Sequence, residues 1–268
     1  MSREVERTWI SIGDTPYYRI RQGRVNVSGE PIYMGSRRTN LNPRHAVKHA
    51  VIVGASGGIG QAVAKAFAGE SWRVTSLSRS KANHRGRDSA THIAIDLKSV
   101  DSIRAAADEI RAQDELIDCL VNCAGVMQPD VPSHELSVTD WKAVIDVNLT
   151  GPFVLLTELF GRLTKPGATI INLTGGMGRF SLGMQGGRFI GYRTAKAGLN
   201  AVTLALAQEW GPLGIRVIAL DPGWVRTPMG GSDAPRDPGE IAREVFTIAD
   251  DGLGDNGCLL SNLRPVMW

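Results

Sequence analysis

The run Ala50-Val51-Ile52-Val53 ends directly in Gly54, and Gly57, Gly58 and Gly60 follow before the helix-forming stretch Gln61 to Ala68. A short, wholly apolar run is a strand buried on both faces, and glycine allows the chain to leave it through a tight turn straight into a helix. Strand, glycine turn and helix open a βαβ unit, which only sheets with helices on their faces accommodate. In that context the glycines let the backbone approach a pyrophosphate. Free N–H groups and the helix dipole then favour its charge. The competing reading, a glycine-rich loop with no ligand, lacks a reason for this position between strand and helix.

The same alternation continues down the chain. Apolar strands are expected near 73–77, 92–95, 117–121, 168–173 and 216–220, with helices near 101–112, 138–147, 151–163, 192–210 and 240–249. In the fourth of these helices Ala195, Leu199, Val202, Leu206 and Trp210 share one face, and Gly211-Pro212 ends it. The fold class predicted is α/β, a Rossmann-type doubly wound parallel sheet. It occupies residues 48–268 as one domain, and 268 residues leave room for little more. Residues 1–47 form an N-terminal extension, a hairpin or an arm. Its alternating patches are Trp9-Ile10-Ser11-Ile12, Tyr18-Arg19-Ile20 and Val25-Asn26-Val27.

Charge and cysteine content narrow the function. The net charge is +3, and the extension holds eight arginines interspersed with Glu4, Glu6, Asp14 and Glu30. Scattered charges of both signs make a solvated surface, so no nucleic-acid partner is expected. Cys119, Cys123 and Cys258 have neither disulfide density nor metal-ligand spacing, which predicts no metal and a reducing, cytoplasmic setting. No uninterrupted apolar stretch approaches a membrane-spanning length, and no signal core follows the first charges. No membrane partner is expected, while a homo-oligomer is compatible with everything above.

The spacing Gly54-x-x-x-Gly58-x-Gly60 departs from the ordinary dinucleotide fingerprint and resembles that of the short-chain dehydrogenase/reductase family. Further landmarks follow in the family's order. Asp96-Leu97 closes the third strand, Asn122-Cys123-Ala124-Gly125 follows the fourth, and Asn148 stands in Asp146-Val147-Asn148. Tyr192-x-x-x-Lys196 comes next, then Pro222-Gly223-x-x-x-Thr227. Singly, each has a bland reading: an Asn or Asp holding a turn, a common Pro-Gly loop, a chance Tyr and Lys. The resemblance covers residues 48 to 268 and implies an NAD(P)(H) site. It would be formed by Gly54, Ser56, Gly58, Ile59 and Gly60, by Asp96 and Leu97, by Asn122, Ala124 and Gly125, and by Tyr192, Lys196, Pro222, Gly223, Val225 and Thr227.

An acidic residue at the end of the second strand would bond the ribose 2′-hydroxyl and repel a 2′-phosphate. Here that end reads Ser76-Leu77-Ser78-Arg79-Ser80. With Ser78 and Arg79 in place of a carboxylate, NADP(H) is favoured over NAD(H). The alternative for Arg79 is a solvated loop position.

For the chemistry, reduction of a carbonyl needs a proton donor, and a tyrosine serves if a cation lowers its pKa from about 10. Residues four apart share a helix face, so Lys196 can stand beside Tyr192 and do this. The resemblance adds Asn148 as a catalytic residue that links Lys196 to solvent, and Thr227 at the carboxamide. At the end of the fifth strand the family reads Asn-Ile-Ser-Ser, whereas this chain reads Asn172-Leu173-Thr174-Gly175. Gly175 therefore falls at the catalytic serine position. Thr174, and Ser181 in the long glycine-rich segment that follows, are the candidate substitutes. Either could equally make no substrate contact.

Pro222 to Gly231 and the brief tail ending in Trp268 resemble the sniffer/C-factor-like branch of carbonyl reductases. Trp224, Met229 and Met184 could line a pocket or simply pack. The expected function is interconversion of a small carbonyl and an alcohol. Its rival is a catalytically impaired dinucleotide-binding regulatory or scaffold protein, to which Gly175 gives a motive.

Overall fold

The computed structural model describes residues 8–12, 15–19, 47–80, 90–183 and 186–268. The chain divides into two compact units, Met1–Pro43 and Arg44–Trp268. In the first, β1 (Thr8–Ile12) pairs antiparallel with β2 (Thr15–Arg19), Ile12 standing opposite Thr15. The patch expected at 25–27 lies outside the described residues.

The second unit is built on β3 (His49–Val53), every residue of which is buried. It continues through α1 (Gly58–Gly69), β4 (Arg73–Ser78), β5 (Ala90–Ala94), α2 (Val100–Arg111) and β6 (Cys119–Asn122). Then come α3 (Val138–Ile145), α4 (Gly151–Leu159), β7 (Thr169–Leu173), α5 (Ile190–Trp210), β8 (Arg216–Asp221) and α6 (Pro238–Asp250). Two three-residue strands close the chain, β9 (Leu259–Ser261) and β10 (Arg264–Val266). The sheet order is β10-β9-β8-β7-β6-β3-β4-β5, parallel at each pairing but β10 with β9. The order reverses between β3 and β6, and such a switch point opens a crevice beyond the carboxyl ends of the strands. This is the expected Rossmann-type doubly wound sheet. The two terminal strands are too short to leave a periodic signal.

Period-two alternation along β3 divides the core. Ala50 and Ile52 join a layer with Val63 and Phe67 of α1 and Ile241 and Val245 of α6. Val51 and Val53 join the opposite layer with Ile103 of α2, Leu155 of α4 and Leu206 of α5. Helix starts follow local chemistry: Ser99 accepts from the N–H of Ser102, Ser137 from that of Asp140, and Asp237 from that of Gly239 with Pro238 behind it.

The sequence predicts two separate helices over 138–147 and 151–163, whereas the structure joins them. Residues Asp146–Thr150 form a π turn that links α3 to α4 without a break. The cause is local. Asn148 Nδ2 donates to the Val144 carbonyl at 2.8 Å, so a side chain takes the acceptor four residues back that a backbone N–H would otherwise hold. The resulting run, 138–162, is by length and composition sufficient to cross a membrane, although Asp140, Lys142, Asp146 and Glu158 interrupt its apolar residues. In this fold it packs between α2 and α5, with Leu155, Leu156 and Leu159 buried.

Beneath the sheet, Phe67 meets Trp72 and Phe246 edge-on at centroid distances of 5.0 and 5.2 Å. Phe67 is wholly buried, so Phe67→Ala is expected to lower stability by about 3–5 kcal/mol. Urea denaturation followed by tryptophan fluorescence measures this, and a loss under about 1 kcal/mol would contradict the packing described.

Candidate active site

The glycine turn meets the β6 loop at very short range. Gly54 has φ +79°, and a methyl group on it would lie 2.8 Å from the backbone of Ala124. Around this contact a cavity of about 370 Å³ is lined by Gly54, Ser56, Ser78, Arg79, Asp96, Leu97, Ala124 and Gly125, all expected in the cofactor site, and by Cys123. α1 begins at its edge with no side-chain cap and no acidic residue in its first turn, leaving N–H groups for an anion. Gly58 lies under Thr227, whose Cγ2 would be 2.7 Å from a methyl group there, which brings the Pro222–Thr227 loop over the helix start. Asp96 closes the far end, its Oδ1 accepting from the Lys98 N–H at 3.0 Å. Arg79 has no ion-pair partner among the described residues. These features fit a dinucleotide.

Several expected cofactor residues do not line this cavity. Asn122 is buried within β6, opposite Val53 and Asn172, and its carboxamide finds no protein partner. Ile59 packs into the core layer of α1. Pro222 and Val225 fix the loop: the Pro222 carbonyl accepts from Arg236 at 2.9 Å, and Val225 is buried. Gly60 and Gly223 serve turns, Gly60 beneath the Gly54 carbonyl and Gly223 at φ +70°.

Tyr192 and Lys196 project from the first turns of α5, as their spacing requires. Lys196 is buried, donates to the Leu173 carbonyl at 2.8 Å and places Nζ 5.6 Å from the Tyr192 ring centre. Burial pushes its pKa down to about 8, with Cys123 acting weakly the other way. For Tyr192 the expected direction is reversed. Burial pushes the phenol up to about 12, and the Asp221 carboxylate adds to this. The reason is that loss of water around the phenolate is the largest effect at this site and Asp221 reinforces it. Asn148 clamps the loop beside them: Nδ2 also donates to the Val126 carbonyl at 2.8 Å, and Oδ1 accepts from the Val126 N–H at 3.2 Å. Both Nδ2 hydrogens are thus taken, while Oδ1 keeps a second lone pair on the side of Gly125 that Lys196 Nζ also approaches.

Gly175 occupies the position expected of the missing serine. A methyl group on it would lie 3.9 Å from Tyr192 Oη and meet no other neighbour within 4 Å, and its φ of 163° is ordinary extended backbone. Neither candidate substitute is available. Thr174 is turned toward α5, where its hydroxyl donates to Asn200 Oδ1 at 2.6 Å. Ser181 donates to the Met267 carbonyl at 2.9 Å, out on the tail. These two placements follow from strand alternation and from the tail's return over this segment.

Several residues here carried no sequence signal as site residues. Asp221 is buried, accepts from the Gly223 N–H at 3.0 Å and pairs with Arg179 at 3.4 Å. Arg179 in turn donates to the Met267 carbonyl at 3.1 Å. Gln128 holds the backbone N–H of Tyr192 at 2.9 Å. Of the apolar candidates, Met229 reaches the site, its Cε 4.0 Å from a methyl group on Gly125, while Trp224 donates to the Gly230 carbonyl at 2.7 Å and shapes the loop. Met184 lies outside the described residues.

The lowered Lys196 pKa has a measurable sign. Between its folded value of about 8 and the ordinary 10.5 the unfolded chain holds a proton that the folded chain has shed, so this group makes stability rise with pH across that window. Lys196→Met removes the contribution. The variant is expected to be more stable than the native protein at pH 7, by on the order of 3 kcal/mol before the lost Leu173 bond is counted, with the gap closing toward pH 10.5. Denaturation midpoints at four pH values test this, and a gap independent of pH would overturn it.

The family model for short chain dehydrogenase matches residues 48–237. D-threitol dehydrogenase of Mycolicibacterium smegmatis is 33% identical over 229 residues, spanning 76% of this chain and 86% of that protein. Carbonyl reductase Sniffer of D. melanogaster superposes with a TM-score of 0.75 at 25% identity, covering 84% of this chain and 100% of that one. A short-chain dehydrogenase/reductase from Burkholderia multivorans with bound NADP superposes at 0.71 with 27% identity, covering 83% and 100%. With its sheet order, glycine turn and Tyr192–Lys196 helix in agreement, the chain belongs to the short-chain dehydrogenase family of oxidoreductases.

Proposed function

We propose that the protein interconverts a small carbonyl compound and its alcohol, using NADP(H) in preference to NAD(H), with Tyr192 as the acid and base. The observation that carries this reading is the meeting of Tyr192 Oη with the open end of β7 at Gly175, beside a buried Lys196 and the cleft of the glycine turn. When bound, the nicotinamide supplies or accepts the hydride. The glycine turn and the first N–H groups of α1 would hold the phosphates, Asp96 the adenine end, Arg79 a 2′-phosphate and Thr227 the carboxamide.

Tyr192 carries its proton firmly at neutral pH, which suits it to protonating an alkoxide as the carbonyl is reduced. Lys196, largely charged at pH 7, would steady the phenol's oxygen and a ribose hydroxyl once released from Leu173. Asn148 would supply the path by which the proton is replaced. In the direction of alcohol oxidation the phenol must first lose its proton, so that rate rises with pH. The free cysteines suit a reducing, cytoplasmic setting, and the alcohol named for the threitol dehydrogenase makes small oxygen-bearing substrates the first to try.

The absent serine hydroxyl favours one other reading, a dinucleotide-binding regulatory or scaffold protein with little catalysis. Turnover of NADPH with a panel of ketones and aldehydes, abolished in Tyr192→Phe, selects the enzyme. NADPH binding without turnover selects the scaffold. In the enzyme, Gly175→Ser is expected to raise kcat/KM by about 10- to 100-fold, because the backbone and the space already suit it and a built-in oxyanion donor is worth about 100- to 1000-fold, part of which an added one recovers. Arg79→Asp is expected to move the NADPH-to-NADH ratio of kcat/KM toward NADH by about tenfold or more. A ratio that does not move overturns the role given to Arg79.

A further inference from the structure

The first turn of α5 lacks a cap of its own. Phe189, at the cap position with φ +59°, offers no side-chain acceptor. The acceptor comes from the β6 loop instead, where Gln128 Oε1 takes the Tyr192 N–H at 2.9 Å. Only the carbonyl oxygen of a carboxamide can accept, which fixes the orientation of the group and leaves Nε2, with two N–H donors, on the other side. Gln128 is 7% exposed, and Nε2 finds no acceptor among the described residues. The carboxamide packs on Gly191, where a methyl group would lie 3.2 Å from Oε1, and the residue lines the same cavity as Gly125 and Val126.

Nε2 is not sealed off: it opens on the cavity, so a donor that the protein leaves to water is free for a ligand that enters there. Its place matters. Gln128 grips the tyrosine at its backbone, whereas the reacting proton sits on Oη at the far end of the side chain, beside Gly175. Whatever Nε2 bonds lies a tyrosine's length from the reacting carbon.

We propose that Gln128 is the specificity-determining residue of this site. Oε1 holds the backbone of Tyr192, while Nε2 donates to a second oxygen of the substrate, several bonds from the carbonyl that reacts. The preferred substrates are ketones or aldehydes that carry an ether, hydroxyl or second carbonyl oxygen at that distance, and their plain alkyl analogues are discriminated against. This rests on the carbonyl-reducing reading above.

Gln128→Glu separates the two functions, because a carboxylate still accepts from Tyr192 and suits a helix N-terminus but donates nothing. Gln128→Met removes both. Kinetics with NADPH and a pair of ketones of equal length, one with an ether oxygen in the chain and one all-carbon, are compared with calorimetric binding of both to NADP+-loaded protein. For Gln128→Glu we expect the preference for the ether ketone, read as the ratio of the two Kd values, to fall about tenfold, with the pH profile of alcohol oxidation moving upward as the added charge opposes the phenolate. For Gln128→Met we expect kcat to fall for both. A Gln128→Glu protein that keeps the native ratio of Kd values between the two ketones overturns the proposal. If the native protein shows no turnover yet binds the ether ketone more tightly than the alkyl one, and Gln128→Glu loses that difference, the carbonyl-reducing reading is overturned and the ligand contact stands.

Discussion

At the switch point of the sheet the main chains of Gly54 and Ala124 run closer together than a single methyl group would permit. Two loops that leave adjacent strands are locked edge to edge there, and each then continues into one half of the cleft. The first leads to the uncapped start of α1 and to Thr227 lying across it. The second leads through Gly125 and Val126 to Asn148 and Gln128, and Gln128 holds the start of α5, which carries Tyr192 and Lys196. Any side chain at 54 would separate the strand ends and misplace both halves together.

The polar groups behind that contact are kept at a cost in stability. Lys196 and Tyr192 are both desolvated, and burial drives their proton affinities in opposite directions, the amine losing its proton more readily and the phenol less so. Asp221 adds to the second effect, and Arg179 offsets part of its charge. In the free protein Tyr192 therefore holds its proton more tightly than a phenol in water.

The sheet and the glycine turn were legible because both rest on local rules. Ala50 to Val53 read as a strand buried on both faces, and its alternation sorts it between two helical layers. The same rules explain the misses. β9 and β10 are held by pairing with β8 and by one another, which three residues cannot announce. The π turn depends on a single side chain taking a carbonyl four residues back. Thr174 and Ser181 were plausible because hydroxyls near the end of β7 are chemically right, yet Asn200 and Met267, distant in sequence, claim them. Gln128 lies in no periodic pattern, and only the chain's return at Gly191 gives it a task. The direction of the Tyr192 pKa was inverted because helix spacing reports proximity to a cation and says nothing of how much water is left.

The π turn at Asn148 also changes how the long helix can be read. One residue beyond α-helical count advances the helix by about 100°. The buried stripe of α3 and that of α4 are thus written in two different phases, and Asn148 sits at the seam where they change. A single-residue deletion between 146 and 150 would bring the two stripes into one continuous heptad-like face, an improvement by the standards of an isolated helix. It would turn Leu155, Leu156 and Leu159 away from α2. In this protein the longest helix is regular only in halves, and its irregularity is the register mark that aligns the core with the cleft.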